Sequence, residues 1–401
     1  TEHRLEEALP MSDRAVVLDR GRIILDDTPQ AVGRELSRLN HDMFLAMPSP
    51  MQVYDGLIKA RKETRLPSNQ DQIAGMGCPI TVRDGRKWLT EVFENGRIEI
   101  RDLDHKEKPA ERKEPPASKA ASLKIGSLIK KTGNEPVIEL KDVWFKYGRN
   151  EPDVIKGLSL KISAGQLHCI VGGNGTGKTT VLSLIGGIHK PYRGRISLRG
   201  REISKYTREE LFSGHLGILP QNPQSLFVEK TVELDLLEIL DQKTLSMDEK
   251  KLRVRAVAEL VGIGGLLNTH PYDLSGGEQQ RAAFGKVLLL EPEIILLDEP
   301  TKGMDNHFKA KLADILNTLI EKGATVVIVS HDIEFCAKYG DQCSLFFDGN
   351  IVTTNTPDKF FSGNSFYTTA ANRMSRHKFN NAVTTKDVID LCVQNLILQK
   401  S

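Results

Sequence analysis

The sequence predicts an α/β fold built on a mainly parallel sheet, and two observations support this. Short apolar runs typical of buried parallel strands, EIILLDEP (293–300) and ATVVIVSHD (324–332), lie on either side of an amphipathic helical segment that ends at Gly323. A glycine-rich stretch, GGNGTGKTT (172–180), connects another predicted strand to a predicted helix. Strands that alternate with helices in this way favour a parallel sheet.

The other elements follow from hydrophobic periodicity. VIELKDVWFKY (137–147) alternates apolar and polar residues, as a half-buried strand does. GLSLKIS (157–163) and QLHCIVGGNG (166–175) continue the strand pattern. KTTVLSLIGGI (178–188) and HFKAKLADILNTLIEKG (307–323) predict helices.

Length and composition limit the class of protein. A chain of 401 residues exceeds a usual single domain, so two domains are expected. A net charge of +2 with 27% charged residues fits an ordinary soluble globular protein and does not favour nucleic-acid binding. No run of about 18 apolar residues is present, so no membrane-spanning helix is predicted. The five cysteines have no short paired spacing, so neither a zinc site nor a disulfide framework is predicted and a reducing compartment is the simplest interpretation.

A segment of unusual composition divides the chain. Residues 105–136 are rich in Lys, Glu, Pro, Ala and Ser and contain few large apolar residues. Such a segment cannot bury enough surface to offset the entropy of ordering it. It is therefore predicted to be a flexible, solvated linker, and the alternative is a basic patch beside anionic lipid headgroups.

An internal repeat accounts for the unusual opening of the chain, which resembles the end of a domain. Positions near the start match later positions without gaps at an offset of 328 residues (331 − 3). The matched pairs are His3 with His331, Asp13 with Asp341, Gly21 with Gly349, and Thr28-Pro29 with Thr356-Pro357. More weakly, residues 78–89 resemble residues 381–391.

The repeat predicts a domain organisation. Residues 1–104 are expected to be the closing part of a first copy together with its tail, and residues 137–362 a complete second copy. Residues 363–401 are expected to form a C-terminal tail subdomain. By repeat symmetry, roughly 190 residues of the first copy are expected to precede Thr1.

The glycine-rich stretch 172–180 fits the phosphate-binding pattern G-x-x-x-x-G-K-[ST]. Its glycines let backbone N–H groups turn toward an anion, and the following helix adds its positive end. Lys178 is expected to contact the β- and γ-phosphates of a nucleotide, and Thr179 to bind Mg²⁺. The predicted nucleotide-binding residues here are Gly172, Gly173, Asn174, Gly175, Thr176, Gly177, Lys178, Thr179 and Thr180. The alternative, a glycine-rich turn with an unrelated lysine, is disfavoured by the flanking strand and helix.

The apolar run IILLDEP (294–300) predicts the second half of a nucleotide site. A buried strand would deliver Asp298 to Mg²⁺, while Glu299 would polarise an attacking water. Two carboxylates at the end of a strand can instead cap the next helix. The phosphate-binding pattern upstream favours the catalytic interpretation.

LSGGEQQR (274–281), between the phosphate loop and the acidic strand, resembles the signature of the ATP-binding cassette superfamily. The resemblance covers residues 137–360 and implies a P-loop NTPase fold with a mainly parallel sheet, a small antiparallel β subdomain and an α-helical subdomain that carries the signature. One departure is Gly173, where the family usually has proline.

The same resemblance implies roles for further residues by position. Tyr147 would stack on adenine, and His331 would lie near the γ-phosphate. Gln221 would contact Mg²⁺ and the attacking water and would face a membrane partner. Asp305 would link the halves of a dimer, and the nucleotide of an opposing cassette would be covered by Ser275, Gly276 and Gly277. His3 matches the same histidine in the first copy, so it is expected to serve a different nucleotide from His331.

A narrower resemblance concerns the type of cassette protein. The stretch 220–236, the two fused copies and the tail 365–392 resemble the double ATPase of energy-coupling-factor transporters. This implies an ATP-hydrolysing subunit bound peripherally at the cytoplasmic face of the membrane, which powers the import of vitamins or transition-metal ions. The implied partners are a transmembrane coupling protein, a substrate-binding membrane subunit and a second cassette, from the first copy or from another chain, and no nucleic acid is expected.

Two alternatives remain. A soluble double-cassette ATPase that acts on ribosomes or nucleic acid is expected to carry a strongly basic helical insert, whereas this linker contains proline and the total charge is nearly balanced. An inactive cassette with a structural role is disfavoured because Lys178, Asp298, Glu299 and His331 are all present.

Overall fold

A computed structural model describes residues 5–19, 21–64, 77–95, 136–241 and 243–398. The predicted linker 105–136 lies outside the described residues except for Pro136. The chain divides into two compact units, of which unit 1 comprises residues 1–108, 305–308 and 357–401, and unit 2 comprises residues 109–304 and 309–356. Within the described ranges, no helix is long and apolar enough to cross a membrane.

The described elements are these, in chain order. The strands are β1 (Ala15–Asp19), β2 (Arg22–Asp27), β3 (Pro136–Phe145), β4 (Ile155–Ser163), β5 (Leu167–Val171), β6 (Arg193–Leu198), β7 (Arg201–Glu202), β8 (Leu216–Leu219), β9 (Ile294–Asp298), β10 (Thr325–Ser330), β11 (Gln342–Phe347) and β12 (Asn350–Asn355). The helices are α1 (Leu5–Ala8), α2 (Pro29–Arg38), α3 (Ser49–Thr64), α4 (Val82–Asn95), α5 (Lys178–Ile185), α6 (Arg208–Phe212), α7 (Val232–Glu238), α8 (Met247–Leu260), α9 (Gly276–Leu289), α10 (Asn306–Glu321), α11 (Ile333–Tyr339), α12 (Pro357–Ser362), α13 (Ala370–Ser375) and α14 (Thr385–Leu398). Short 3₁₀ helices span Leu9–Met11, Asp42–Ala46, Ile203–Lys205, Pro223–Leu226, Gly264–Leu266 and Pro271–Asp273.

The larger sheet of unit 2 has the strand order β12-β11-β5-β10-β9-β8. Its strands pair in parallel, except that β12 pairs antiparallel with β11. Every residue of β5, β9 and β10 is buried, as expected for strands covered on both faces. This order places the carboxyl ends of β5, β10 and β9 side by side, which positions the candidate site described below.

A second sheet of unit 2 is antiparallel, with the order β4-β3-β6-β7. Residues of both sheets share one core, and α5 buries Val181, Leu182, Leu184 and Ile185 in it. The α/β fold predicted from the sequence, with a mainly parallel sheet and a smaller antiparallel one, is thus confirmed.

A histidine lies inside this core, in β5. The Nε2 atom of His168 lies 2.8 Å from Ser344 Oγ, and Ser344 Oγ lies 2.7 Å from Thr354 Oγ1. The Nδ1 atom of His168 is buried and finds no hydrogen-bond partner among the described residues. Burial lowers the pKa of His168 to about 4 from an ordinary value of 6.5.

This buried histidine predicts that acid destabilises unit 2. Because the folded-state pKa is lower than the unfolded one, the unfolded chain binds more protons between those two values, so stability falls as the pH drops through that window. We expect a loss of about 2 kcal/mol between pH 7 and pH 5 from His168 alone. Urea unfolding at both pH values should show a smaller loss in His168→Gln than in the original chain. His215→Gln, which removes a surface histidine of the same unit, is the control, and an unchanged pH dependence in His168→Gln would refute the assignment.

The β1–β2 hairpin of unit 1 repeats the β11–β12 hairpin of unit 2. Both hairpins are antiparallel, and β2 and β12 begin 328 residues apart (350 − 22). Each has an irregularity in register, between Val17 and Leu18 in one and between Leu345 and Phe346 in the other, again at the same offset. The two hairpins thus have the same strand pairing at the offset of the predicted repeat, and the repeat of whole domains stays a prediction.

The core of unit 1 is formed by helices that come from both tails. Residues of α3 and α4, including Tyr54 and Trp88, share one apolar cluster with residues of α13 and α14, including Met374 and Leu391. Described residues of the predicted C-terminal tail subdomain, 363–401, therefore share a core with earlier residues of the chain. The predicted boundaries at 104, 136 and 362 stay predictions.

The weaker resemblance between residues 78–89 and 381–391 also has a structural counterpart. Before α4, the backbone N–H of Thr81 donates to Asp84 Oδ2 and that of Asp84 to Thr81 Oγ1. Before α14, the backbone N–H groups of Thr384 and Asp387 make the same two bonds. Both helices thus begin with the same reciprocal Thr–Asp cap.

Candidate nucleotide site

The phosphate loop leaves the carboxyl end of β5 and ends where α5 begins. Gly177 has a φ of 109°, which side chains rarely adopt, and a Cβ there would lie 2.8 Å from Val154 Cγ1. A Cβ on Gly172 would lie 2.3 Å from the carbonyl oxygen of Phe346. Glycine is therefore required at both ends of the loop, at one for backbone conformation and at both for close packing.

Lys178 is buried and lies across this loop. Its Nζ donates to the carbonyl oxygens of Gly172, at 3.0 Å, and Gly173, at 2.7 Å. Burial lowers the pKa of the Lys178 ammonium, while the carboxylates of Glu299 and Asp298 act in the opposite direction. The ammonium thus has neutral partners in the described part of the chain, and phosphate oxygens would be stronger ones.

Asp298 is buried at the carboxyl end of β9. Burial raises the pKa of its carboxyl group, and a hydrogen bond with the Thr179 side chain partly offsets this. Its Oδ1 atom is buried and has no hydrogen-bond partner in the described ranges. Hydroxyl and carboxylate oxygens are the ligands that Mg²⁺ prefers, so Thr179 and Asp298 fit a magnesium ion.

Glu299 and His331 form a pair, because β9 and β10 are neighbours. Glu299 Oε2 lies 2.7 Å from His331 Nδ1 and accepts hydrogen bonds from the His331 backbone N–H, at 3.2 Å, and from Ser330 Oγ, at 3.3 Å. Glu299 has a φ of 50°, a left-handed conformation that costs a non-glycine residue on the order of 1–3 kcal/mol. The surrounding strands therefore hold the backbone of Glu299 in an unfavourable conformation, as occurs at functional sites.

The predicted signature lies at the start of α9. Ser275 Oγ accepts from the backbone N–H of Glu278, and Glu278 Oε2 accepts from the backbone N–H and hydroxyl of Ser275. These bonds to Ser275 lower the pKa of Glu278. A Cβ on Gly277 would lie 2.7 Å from the carbonyl oxygen of Gly303, so glycine allows this turn to pack against the loop after β9. Ser275 and Gly276 remain exposed.

Comparison with known proteins identifies the family. A family model described as ABC transporter matches residues 155–302. The energy-coupling factor transporter ATP-binding protein EcfA of Methanocaldococcus jannaschii is 34% identical over 231 residues, which cover 56% of this chain and 81% of EcfA. The chain belongs to the ABC transporter ATP-binding proteins.

Longer relatives and solved structures agree. A putative ABC transporter ATP-binding protein of Bacillus anthracis is 30% identical over 397 residues, which are 99% of this chain and 64% of that relative's length. The ABC transporter cassette MJ0796, solved as a dimer, superposes with a TM-score of 0.51 and 29% identity over 55% of this chain and 98% of its own. The structure of cbiO1 from Clostridium perfringens, described as part of the ABC transporter complex cbiONQ, gives a TM-score of 0.50 and 28% identity over 57% of this chain and 91% of its own.

Two other predicted residues of this ABC cassette, Tyr147 and Gln221, are exposed. The ring of Tyr147 is 56% exposed and packs against Phe145 and His189, while its hydroxyl lies 2.8 Å from Thr180 Oγ1. Gln221 is exposed and makes no hydrogen bond within the described part of the chain, so its predicted contact with Mg²⁺ stays a prediction.

Asp305 belongs to unit 1. Asp305 Oδ1 accepts from the backbone N–H of Phe308 at 2.7 Å and so caps α10. Its predicted role between dimer halves stays a prediction. His3 lies outside the described residues.

Two residues near the candidate nucleotide site were not predicted from the sequence, Ser330 and His189. Ser330 donates a hydrogen bond to the Glu299 carboxylate. Its position just before His331, at the end of a predicted strand, could have indicated that it belongs to the site. His189 stacks on Phe145 with ring centroids 5.2 Å apart and so supports the surroundings of Tyr147. No local motif marks His189, because its contact arises between β3 and the segment that follows α5.

Proposed function

We propose that this chain binds ATP with Mg²⁺ at the phosphate loop and hydrolyses it. The observation that carries the proposal is the buried Asp298 oxygen without a partner, beside Thr179 and close to a lysine that contacts only neutral carbonyls in the described residues. The Lys178 ammonium and the Asp298 carboxylate therefore lack strong partners among the described residues. A nucleotide phosphate and a divalent cation would satisfy both.

The residues of the chain have distinct tasks in this reaction. The loop N–H groups and Lys178 would bind the phosphates, and Thr179 and Asp298 would hold Mg²⁺. Bound Mg²⁺ would neutralise phosphate charge. As water attacks the γ-phosphorus and the bond to the ADP oxygen breaks, Glu299 would accept the proton of the water. His331 and Ser330 hold the Glu299 carboxylate in place through the contacts described above.

Lys178→Ala tests the binding site. The substitution removes a charge-assisted phosphate contact of about 1.5–3 kcal/mol, so Mg·ATP should bind roughly 10- to 150-fold more weakly. Titration calorimetry measures this change. Lys161→Ala removes an exposed lysine of the antiparallel sheet and is the control. Equal affinity in Lys178→Ala and Lys161→Ala would refute the site.

We also propose that the chain powers a membrane importer of the energy-coupling-factor type, acting peripherally at the cytoplasmic face of the membrane on vitamin or transition-metal uptake. The names of EcfA and of the cbiONQ complex support this role. A transmembrane coupling protein, a substrate-binding membrane subunit and a second cassette would be the partners. Affinity purification from membranes should recover the two membrane subunits, whereas recovery of ribosomes without them would favour the soluble double-cassette alternative.

A further inference from the structure

Residues 222–229, the segment after Gln221, are connected by hydrogen bonds and an ion pair to α9, the helix that begins at the signature turn Ser275–Gly277. The first junction lies in the first turn of that helix. Gln224 Nε2 donates to Gln279 Oε1 at 3.2 Å, and Gln279 Nε2 donates to the carbonyl oxygen of Pro271 at 3.1 Å. The backbone N–H of Gln279 also bonds to the Ser275 carbonyl oxygen. Gln279 therefore connects the segment directly to the signature turn.

The second junction is an ion pair in the interior of unit 2. Lys286 and Asp235 are 4% and 1% exposed, and Lys286 Nζ lies 2.9 Å from Asp235 Oδ1. Lys286 Nζ also donates to the Leu226 carbonyl oxygen at 2.7 Å. Asp235 Oδ1 accepts the backbone N–H groups of Val228 and Glu229, at 3.0 and 3.3 Å. The more exposed Glu238 is the second carboxylate near Lys286, at 3.4 Å.

The positions of the two junctions along α9 oppose movement of residues 222–229 relative to this helix. Gln279 and Lys286 are seven residues apart, which is about two helical turns, so they lie on the same face of α9. A buried ion pair tolerates little movement, because separating its charges in a dry interior is costly. The segment therefore cannot shift without either breaking the pair or moving α9. Its outer side is open to contact, since Val228 is 71% exposed.

We propose that Lys286 and Asp235 are positioning residues that make the signature turn follow any movement of residues 222–229. The proposal rests on the proposed function, because the position of the signature matters only if it meets a nucleotide. A shift of the segment would then change the placement of Ser275–Gly277 while leaving Lys178 and Asp298 in place. Gln224 and Gln279 transmit the same movement at the other end.

Hydrogen exchange of the whole chain without nucleotide tests the link itself. In Lys286→Met, the amides of Val228 and Glu229 should exchange about tenfold faster or more, and so should those of Glu278 and Gln279 in the signature turn. The matched control is the similar reciprocal cap at Ser246–Glu249, which begins α8 and should not change. Lys286→Arg keeps the charge and should restore the slow exchange. Faster exchange at Val228 and Glu229 alone, with Glu278 and Gln279 unchanged, would overturn the proposal.

A second variant and a kinetic measurement complete the test. Gln224→Ala removes the other junction without leaving a buried charge, so it keeps the test valid if Lys286→Met does not fold, and it should also speed exchange at Glu278 and Gln279. In the ATPase assay, Lys286→Met should lower kcat at least several-fold with unchanged affinity for Mg·ATP. An equal loss of affinity would indicate general damage and overturn the positioning role. If the original chain did not bind Mg·ATP at all, the proposed function would fail while the exchange results still decided the link.

Discussion

Replacing Glu299 with Gln should lower ATP turnover by about 10²- to 10⁴-fold and leave Mg·ATP affinity nearly unchanged. The amide keeps the size of the side chain and an oxygen that can accept from the His331 backbone N–H and the Ser330 hydroxyl. It cannot accept the proton of an attacking water. The strained backbone at Glu299 is kept as well, so binding and fold should survive while the chemical step fails.

Phosphate-release assays and calorimetry on the same preparation measure both quantities. Glu293→Gln is the matched control, because Glu293 directly precedes β9 and pairs with Arg199 and His215 instead of the nucleotide site. It should retain turnover close to that of the original chain. Turnover in Glu299→Gln within about tenfold of the control would place the base elsewhere.

Replacing Lys286 with Met should lower the free energy of unfolding by about 3–5 kcal/mol. The substitution leaves Asp235 buried without its counter-ion, and the other Asp235 oxygen already lacks a hydrogen-bond partner in the described structure. Urea unfolding followed by circular dichroism measures the change. A loss below about 1 kcal/mol would show that the pair is solvated in solution.

The double variant Lys286→Met with Asp235→Leu separates charge burial from lost hydrogen bonds. Removing both charges abolishes the uncompensated carboxylate, so the double variant should be more stable than Lys286→Met alone. It should still be less stable than the original chain, because the N–H groups of Val228 and Glu229 lose their acceptor. A double variant no more stable than Lys286→Met would mean that the ion pair is not the source of the effect.

The phosphate-loop pattern and the α/β fold could both be predicted from the amino-acid sequence alone. Gly172, Gly177, Lys178 and Thr179 have the spacing that a phosphate site needs, because consecutive backbone N–H groups and one lysine would surround a single phosphate. Asp298 is predictable for a similar reason, since an apolar run that ends in a carboxylate marks a buried parallel strand and its polar end. These features are local in the chain, so their patterns are visible in it.

Contacts between residues that are distant in the chain could not be predicted and are visible only in the folded structure. Glu299 and His331 are 32 residues apart and touch because β9 and β10 are neighbours in the sheet. Lys286 and Asp235 are 51 residues apart, and their pair forms only when α9 packs beside α7. Residues of α3 and α4 likewise share one core with residues of α13 and α14, although the two pairs of helices are far apart in the chain. Strand order and helix packing depend on contacts across the whole fold, and a local hydrophobic pattern shows that a face is buried but not what covers it.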